Sequence, residues 1–139
     1  MTTATIIALI VAYSKIFGVD PDVALGVAKV ESNFNIEAIG PIGEIGIFQI
    51  RPEFYKMLTA VELRDPRTNI MMGVKKLAED KKNCWHREGL TWLSCYNAGP
   101  GNAKKIRYPD LFPYVLKVEA EVARLREARE ERKRKLAQK

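Results

Sequence analysis

The chain has 139 residues, 47% of them hydrophobic, and a formal net charge of +6. That length fits one domain with a sizeable core, and the apolar share excludes a disordered chain. The charge is uneven: residues 117–139 hold nine Lys/Arg against five Glu, while residues 1–116 hold fourteen basic against twelve acidic residues. Attraction to acidic polymers is therefore an expectation for the C-terminal segment, and no nucleic acid is expected as a partner of the near-neutral body.

Taken in chain order, the elements are nearly all helical. Thr2 or Thr3 caps a first helix, whose apolar run lacks a preceding basic residue and is too short to span a bilayer. Neither a signal peptide nor a transmembrane segment is expected. "VDPDVALGVAKVES" opens a second helix, with Asp20 as cap and Pro21 at the first position. Residues 35–52 lack a helical period and are punctuated by Gly40, Pro41, Gly43 and Gly46, so a loop or small hairpin is expected there. "RPEFYKML" reads as a short helix, and Asp65-Pro66 opens a long one. "GLTWLSCYNAGPGNAKKI" reads as a helix stopped at the Asn97–Gly101 cluster, then a shorter one. A long helix starts near Phe112 and ends in "REAREERKRKLAQK", read as a solvated, basic helix end. The fold class is mainly α, with at most a small β-hairpin near 40–50. Cys84 and Cys95 are expected as ordinary buried thiols, because with His86 alone they do not fill a zinc site. Phe34, Phe54, Tyr55, Trp85 and Trp92 are assigned to the core rather than to a binding surface.

Three carboxylates fall in the segment around the glycines: Glu31, Glu37 and Glu44. Glu31 shares a helix face with Ala24, Val27 and Ala28. If that face points inward, desolvation and the negative end of the helix dipole raise its pKa, which suits a general acid. The alternative is that Glu31 is the last polar residue before a loop. Glu37 is expected to be solvated. The glycine-rich run is no phosphate loop, and its closing Gln49 suits a ligand rich in hydroxyls and amides.

Glu31-Ser32, "GEIGIFQIRP", "DPRTNIMMGVKKL", "CYNAGPGN" and "YVLKV" occur in an order that resembles the soluble, lysozyme-like lytic transglycosylases, over about residues 5–118. The resemblance implies a goose-type-lysozyme-like fold with a groove for peptidoglycan glycan strands, no metal and no cofactor. It makes Glu31 the single catalytic acid/base and Ser32 a hydroxyl that orients it. Gln49 matches the glutamine that contacts the sugar and its N-acetyl group, and Tyr96 and Asn97 flank the acid and the muramyl residue. Tyr114 matches a tyrosine near the catalytic carboxyl. Phe48 stands where the family often has Met, Cys95 where Ala is usual and Gly40 where Ser is common. Asp110 stands where some members have Glu, one methylene longer, and is expected to contact substrate. The implied division is residues 1–118 as catalytic domain and 119–139 as basic tail, in a monomer, with the tail drawn to acidic envelope polymers. The short single-domain form looks like a phage product acting on the bacterial wall. Two alternatives remain open: a hydrolytic muramidase using Glu44 as second carboxylate, and an inactive virion or wall-binding module.

Overall fold

The computed structural model describes all residues, 1–139, and is helical with no regular strand. Helix α1 (Thr3–Phe17) begins at Thr2, whose hydroxyl accepts the Thr5 N–H at 3.1 Å, and stops at a left-handed Gly18. Helix α2 (Pro21–Ser32) has Asp20 accepting the Asp22 N–H at 2.9 Å, and ends at a left-handed Asn33. These are side-chain caps of the kind the sequence signals. Between Asn33 and Arg51 the chain is irregular, tied by two isolated antiparallel bridges, Ile39 to Ile45 and Ile45 to Ile50. The β content is thus smaller than a hairpin.

The next segment departs from expectation. "RPEFYKML" forms only a 3-10 turn, Pro52–Phe54, with Phe54 and Met57 exposed. The segment has no side-chain cap and its turn buries no residue, so nothing offsets the cost of helix nucleation. Helix α3 (Ala60–Arg64) forms instead, on a capping box between Thr59 and Glu62. Helix α4 (Pro66–Asn83) starts where Asp65 accepts the Thr68 N–H at 3.0 Å. Helices α5 (Leu93–Ala98) and α6 (Pro100–Ala103) meet at Gly99, and α7 (Pro113–Ala137) closes the chain.

Helix α2 is the centre of the molecule. It packs on α7 and α1, α1 also lies on α4, and α5 joins α4 to α7. Residues 22–28 of α2 are all buried, so its middle is apolar nearly all round, as a central helix should be. Ala24, Val27 and Ala28 are fully buried with Val74 and Leu77 of α4 and Val115 and Val118 of α7. No helix is long and apolar enough to cross a membrane.

The two cysteines are not thiols. Cys84, just past the end of α4, is bonded to Cys95 in α5, with Cα atoms 5.9 Å apart. The return between α4 and α5 brings these two cysteines, eleven positions apart, within bridging distance, which spacing alone did not signal. The aromatic assignments also divide: Trp92 is buried, whereas Trp85 is exposed with the Lys104 ammonium 4.3 Å from its ring.

Helix α7 runs unbroken across residue 118 and buries Val122. Farther along, Arg126 donates to Asp20 Oδ2 at 3.0 Å, and Arg129 grips the buried Asp22 through both carboxylate oxygens. That ion pairing with Arg129, then Arg126, holds the Asp22 carboxyl below its ordinary pKa.

Candidate active site

The loop after α2 is fixed from three helices. Buried Asn69 of α4 accepts the Phe48 N–H at 2.9 Å and donates to the Ile45 and Leu63 carbonyls at 2.8 and 2.9 Å. Ser32 of α2 donates to the Ile47 carbonyl at 2.8 Å, and the Tyr96 hydroxyl of α5 donates to the Phe48 carbonyl at 2.7 Å. Two glycines permit this. Gly46 has φ +76°, and any Cβ there would sit 2.5 Å from the Asn69 amide; Gly73 of α4 leaves the space that the Phe48 ring fills. Anchored on both sides, Gln49 takes a left-handed φ of 49° and donates to the Gly46 carbonyl at 2.8 Å.

This loop forms one wall of a cleft of about 380 Å³. Glu31 lies in it at the C-terminal end of α2, with Glu44 and Gln49 from the loop and Lys76 and Asp80 from α4. Tyr96 and Asn97 contribute from α5. Burial pushes the Glu31 carboxyl up from 4.5 to about 7; the Glu44 charge adds to the rise and the Lys76 ammonium opposes it. Lys76 donates to Asp80 at 2.6 Å and lies 4.3 Å from the centre of the Tyr96 ring. Glu44 accepts the Ile42 N–H at 2.8 Å, and Glu37 is exposed. Tyr114 is buried; burial, then the Glu31 charge, raise its pKa well above 10, and its hydroxyl has no hydrogen-bond partner. No group of His, Cys, Asp and Glu side chains converges as a metal site requires.

The residues singled out in the sequence therefore separate. Glu31, Gln49, Tyr96 and Asn97 share the cleft, and Tyr114 lies within electrostatic reach of Glu31. Ser32 and Phe48 act behind it: one hydroxyl ties α2 to the loop, and one ring fills the space over Gly73. Asp110 lies apart, in a separate depression of about 450 Å³ with Glu88, Glu119 and Arg126. Sequence reasoning missed Arg51, Lys76 and Asp80 and set Phe54 and Tyr55 aside as core, yet all five line the cleft. Lys76 and Asp80 are four apart on a helix, a spacing that reads equally as a solvated ion pair. Burial, with Glu79 and Asp80 adding, pushes Tyr55 up to about 12.

Residues 8–110 match the model of the family described as the transglycosylase SLT domain. The fold is similar to that of the lytic transglycosylase Slt from Pseudomonas aeruginosa, solved as an inactive mutant, with a TM-score of 0.71 and 21% identity. The similarity covers 83% of this chain and 23% of the Pseudomonas chain, so this chain spans about a quarter of that protein's length. With the family match extending over most of its length and the fold agreeing, the chain belongs to the transglycosylase SLT domain family.

Proposed function

We propose that the chain is a peptidoglycan lytic transglycosylase and that Glu31 is its single acid and base. The observation that carries this is the Glu31 carboxyl, half-buried in the cleft with its pKa held at about 7. A group so placed is half protonated at neutral pH and can both give and take a proton. Glu31 protonates the glycosidic oxygen between N-acetylmuramic acid and N-acetylglucosamine as the C1–O bond breaks. The substrate's 2-acetamido oxygen bonds to C1, giving an oxazolinium ion. The Glu31 carboxylate then removes the 6-hydroxyl proton, and that oxygen displaces the acetamido oxygen from C1, closing a 1,6-anhydro ring. No water is consumed. Gln49, Tyr96 and Asn97 hold the ring and its acetamido group in place, an orientation effect. The buried Tyr114 hydroxyl has no hydrogen-bond partner and lies within electrostatic reach of the charge that forms on Glu31.

One observation favours a second reading, a hydrolytic muramidase: Glu44 lines the same cleft and its charge reaches Glu31. Most glycoside hydrolases use a second carboxylate to activate water or attack the sugar. Mass analysis of purified sacculi after digestion separates the two. Muropeptides ending in 1,6-anhydro-N-acetylmuramic acid, one water lighter and not reducible by borohydride, are expected. Products that are all reducible would replace the lyase with the hydrolase. Glu31→Gln is expected to cut activity by about a hundred- to ten-thousand-fold; a variant that keeps most of its activity would remove Glu31 from the role.

The two-part division is proposed as one of role. Residues 1–118 carry the catalytic groups, and the exposed end of the 119–139 helix supplies attraction to acidic envelope polymers.

A further inference from the structure

The cleft is lined by four acidic side chains, Glu31, Glu44, Glu79 and Asp80, and two basic ones, Arg51 and Lys76. Lys76 is already engaged by Asp80. Arg51 is not held in that way. Its Nε donates to Glu53 at 2.8 Å, its guanidinium carbon lies 4.8 Å from the centre of the Phe54 ring, and its two Nη groups donate to no protein acceptor. The Arg51 and Glu53 side chains are 42% and 47% exposed, so their pairing adds little and yields readily to a better-placed anion. Phe54 is 62% exposed on the cleft wall, an apolar surface covered only by the Arg51 guanidinium. The turn between them is set in advance: Pro52 opens it, and the Phe54 N–H donates to the Arg51 carbonyl at 3.1 Å. A planar fork held over an aromatic ring, with both Nη groups open, suits bidentate capture of a carboxylate.

We infer that Arg51, resting on Phe54, recognises a carboxylate carried by the muramyl sugars, so that the cleft reads the substituent as well as the glycan. This rests on the proposed transglycosylase reading. The sugar hydroxyls and acetamides are neutral. The carboxylate is supplied either by the peptide stem or, where the stem has been removed, by the lactyl ether it leaves behind. Ile50 and Gln49 connect this shelf to the loop that faces Glu31, so the anion contact and the reacting bond belong to one continuous wall.

The test is steady-state kinetics of the full chain on peptide-bearing glycan, on amidase-stripped glycan, and on both after amidation of their carboxylates. Arg51→Gln is expected to raise KM roughly ten-fold with little change in kcat, since a hydrogen bond to a charged group is lost. Arg51→Lys should fall between, keeping charge without the fork. Glu53→Gln should lower KM by removing the competing anion. Amidation should raise the wild-type KM and abolish the difference between wild type and Arg51→Gln. An effect confined to peptide-bearing glycan assigns the stem carboxylate; one confined to stripped glycan assigns the lactyl carboxylate. If wild type cuts both glycans and Arg51→Gln matches it on both, or is equally impaired on amidated substrate, the inference is overturned. If wild type cuts neither, the transglycosylase reading itself fails, and this inference falls with it.

Discussion

Glu31 is held at a cost to the fold. Its carboxyl has a pKa of about 7 in the native chain against 4.5 ordinarily, so the native state binds the proton more tightly than the unfolded chain does. Native stability is then full below pH 4.5 and falls as pH rises towards 7, by about 3 kcal/mol at the plateau. Glu31→Gln removes that titration. The variant should melt with the wild type at pH 4 and at a higher temperature at pH 8, a stability gain where activity is lost. Thermal unfolding at the two pH values checks this; equal melting temperatures at pH 8 would mean that Glu31 is solvated. The same group should set the alkaline limb of kcat/KM near pH 7. Glu44→Gln removes a charge that raises Glu31, so the limb should move to lower pH while activity at pH 5 persists. Loss of activity at every pH would instead make Glu44 the second carboxylate of a hydrolase. Spacing with Ala24, Val27 and Ala28 made Glu31 a candidate but left open a plain polar residue before a loop; the resemblance in motif order chose between the two. Arg51 and Phe54 were not legible, because an exposed arginine and an exposed aromatic gain their meaning only from sharing a wall with Glu31.

At the scale of elements, capping chemistry decided where helices begin. Thr2, Asp20 and Asp65 each accept a backbone N–H at the helix they open, and each could be found in the sequence. The α3 helix could also have been found, since Thr59 and Glu62 spell a capping box, but the apolar "FYKML" before it drew the helix too early. The disulfide depended on tertiary geometry: α4 and α5 must return past one another before Cys84 and Cys95 can meet. It fastens α5 one residue before Tyr96, whose hydroxyl holds the Phe48 carbonyl and thereby the loop. Closing a short loop constrains the unfolded chain by about 3 kcal/mol in the chain-entropy account. Reduction, or Cys84→Ser with Cys95→Ser, should therefore lower the melting temperature by several degrees. It should also lower kcat more than it raises KM, because Tyr96 and the loop lose their shared anchor. An unchanged melting temperature on reduction would show that packing alone holds α5.

For the whole molecule, α7 divides into a packed part and an exposed part along one length. Its first half buries Val115, Val118 and Val122 against the domain, and Arg126 and Arg129 then clasp Asp20 and Asp22 at the start of α2, the helix whose last turn carries Glu31. Beyond Arg129 the helix is exposed, and its charges are largely paired among themselves, Lys133 with Glu130 and Arg134 with Glu127 and Glu131. Charge counting alone could not divide the segment, since Arg126 and Arg129 contribute to the basic total yet are committed to the fold. The free cations are Arg132, Lys135 and Lys139, which are in none of these pairs. Two truncations test the division. Removing residues 130–139 should leave melting and turnover of small soluble glycan fragments unchanged. Binding to intact walls should weaken, and the deficit should shrink in high salt, because exposed charges are screened over about 8 Å at physiological ionic strength. Removing 124–139 also strips Asp22 of both arginines and should lower the melting temperature. That loss should be present at neutral pH and fade in acid, because Asp22 has a lowered native pKa and its contribution disappears as pH falls through that value. If the longer truncation melts like the parent at neutral pH, the arginine clasp is not what fixes the start of α2, and the burial of Val122 and its neighbours alone secures the helix.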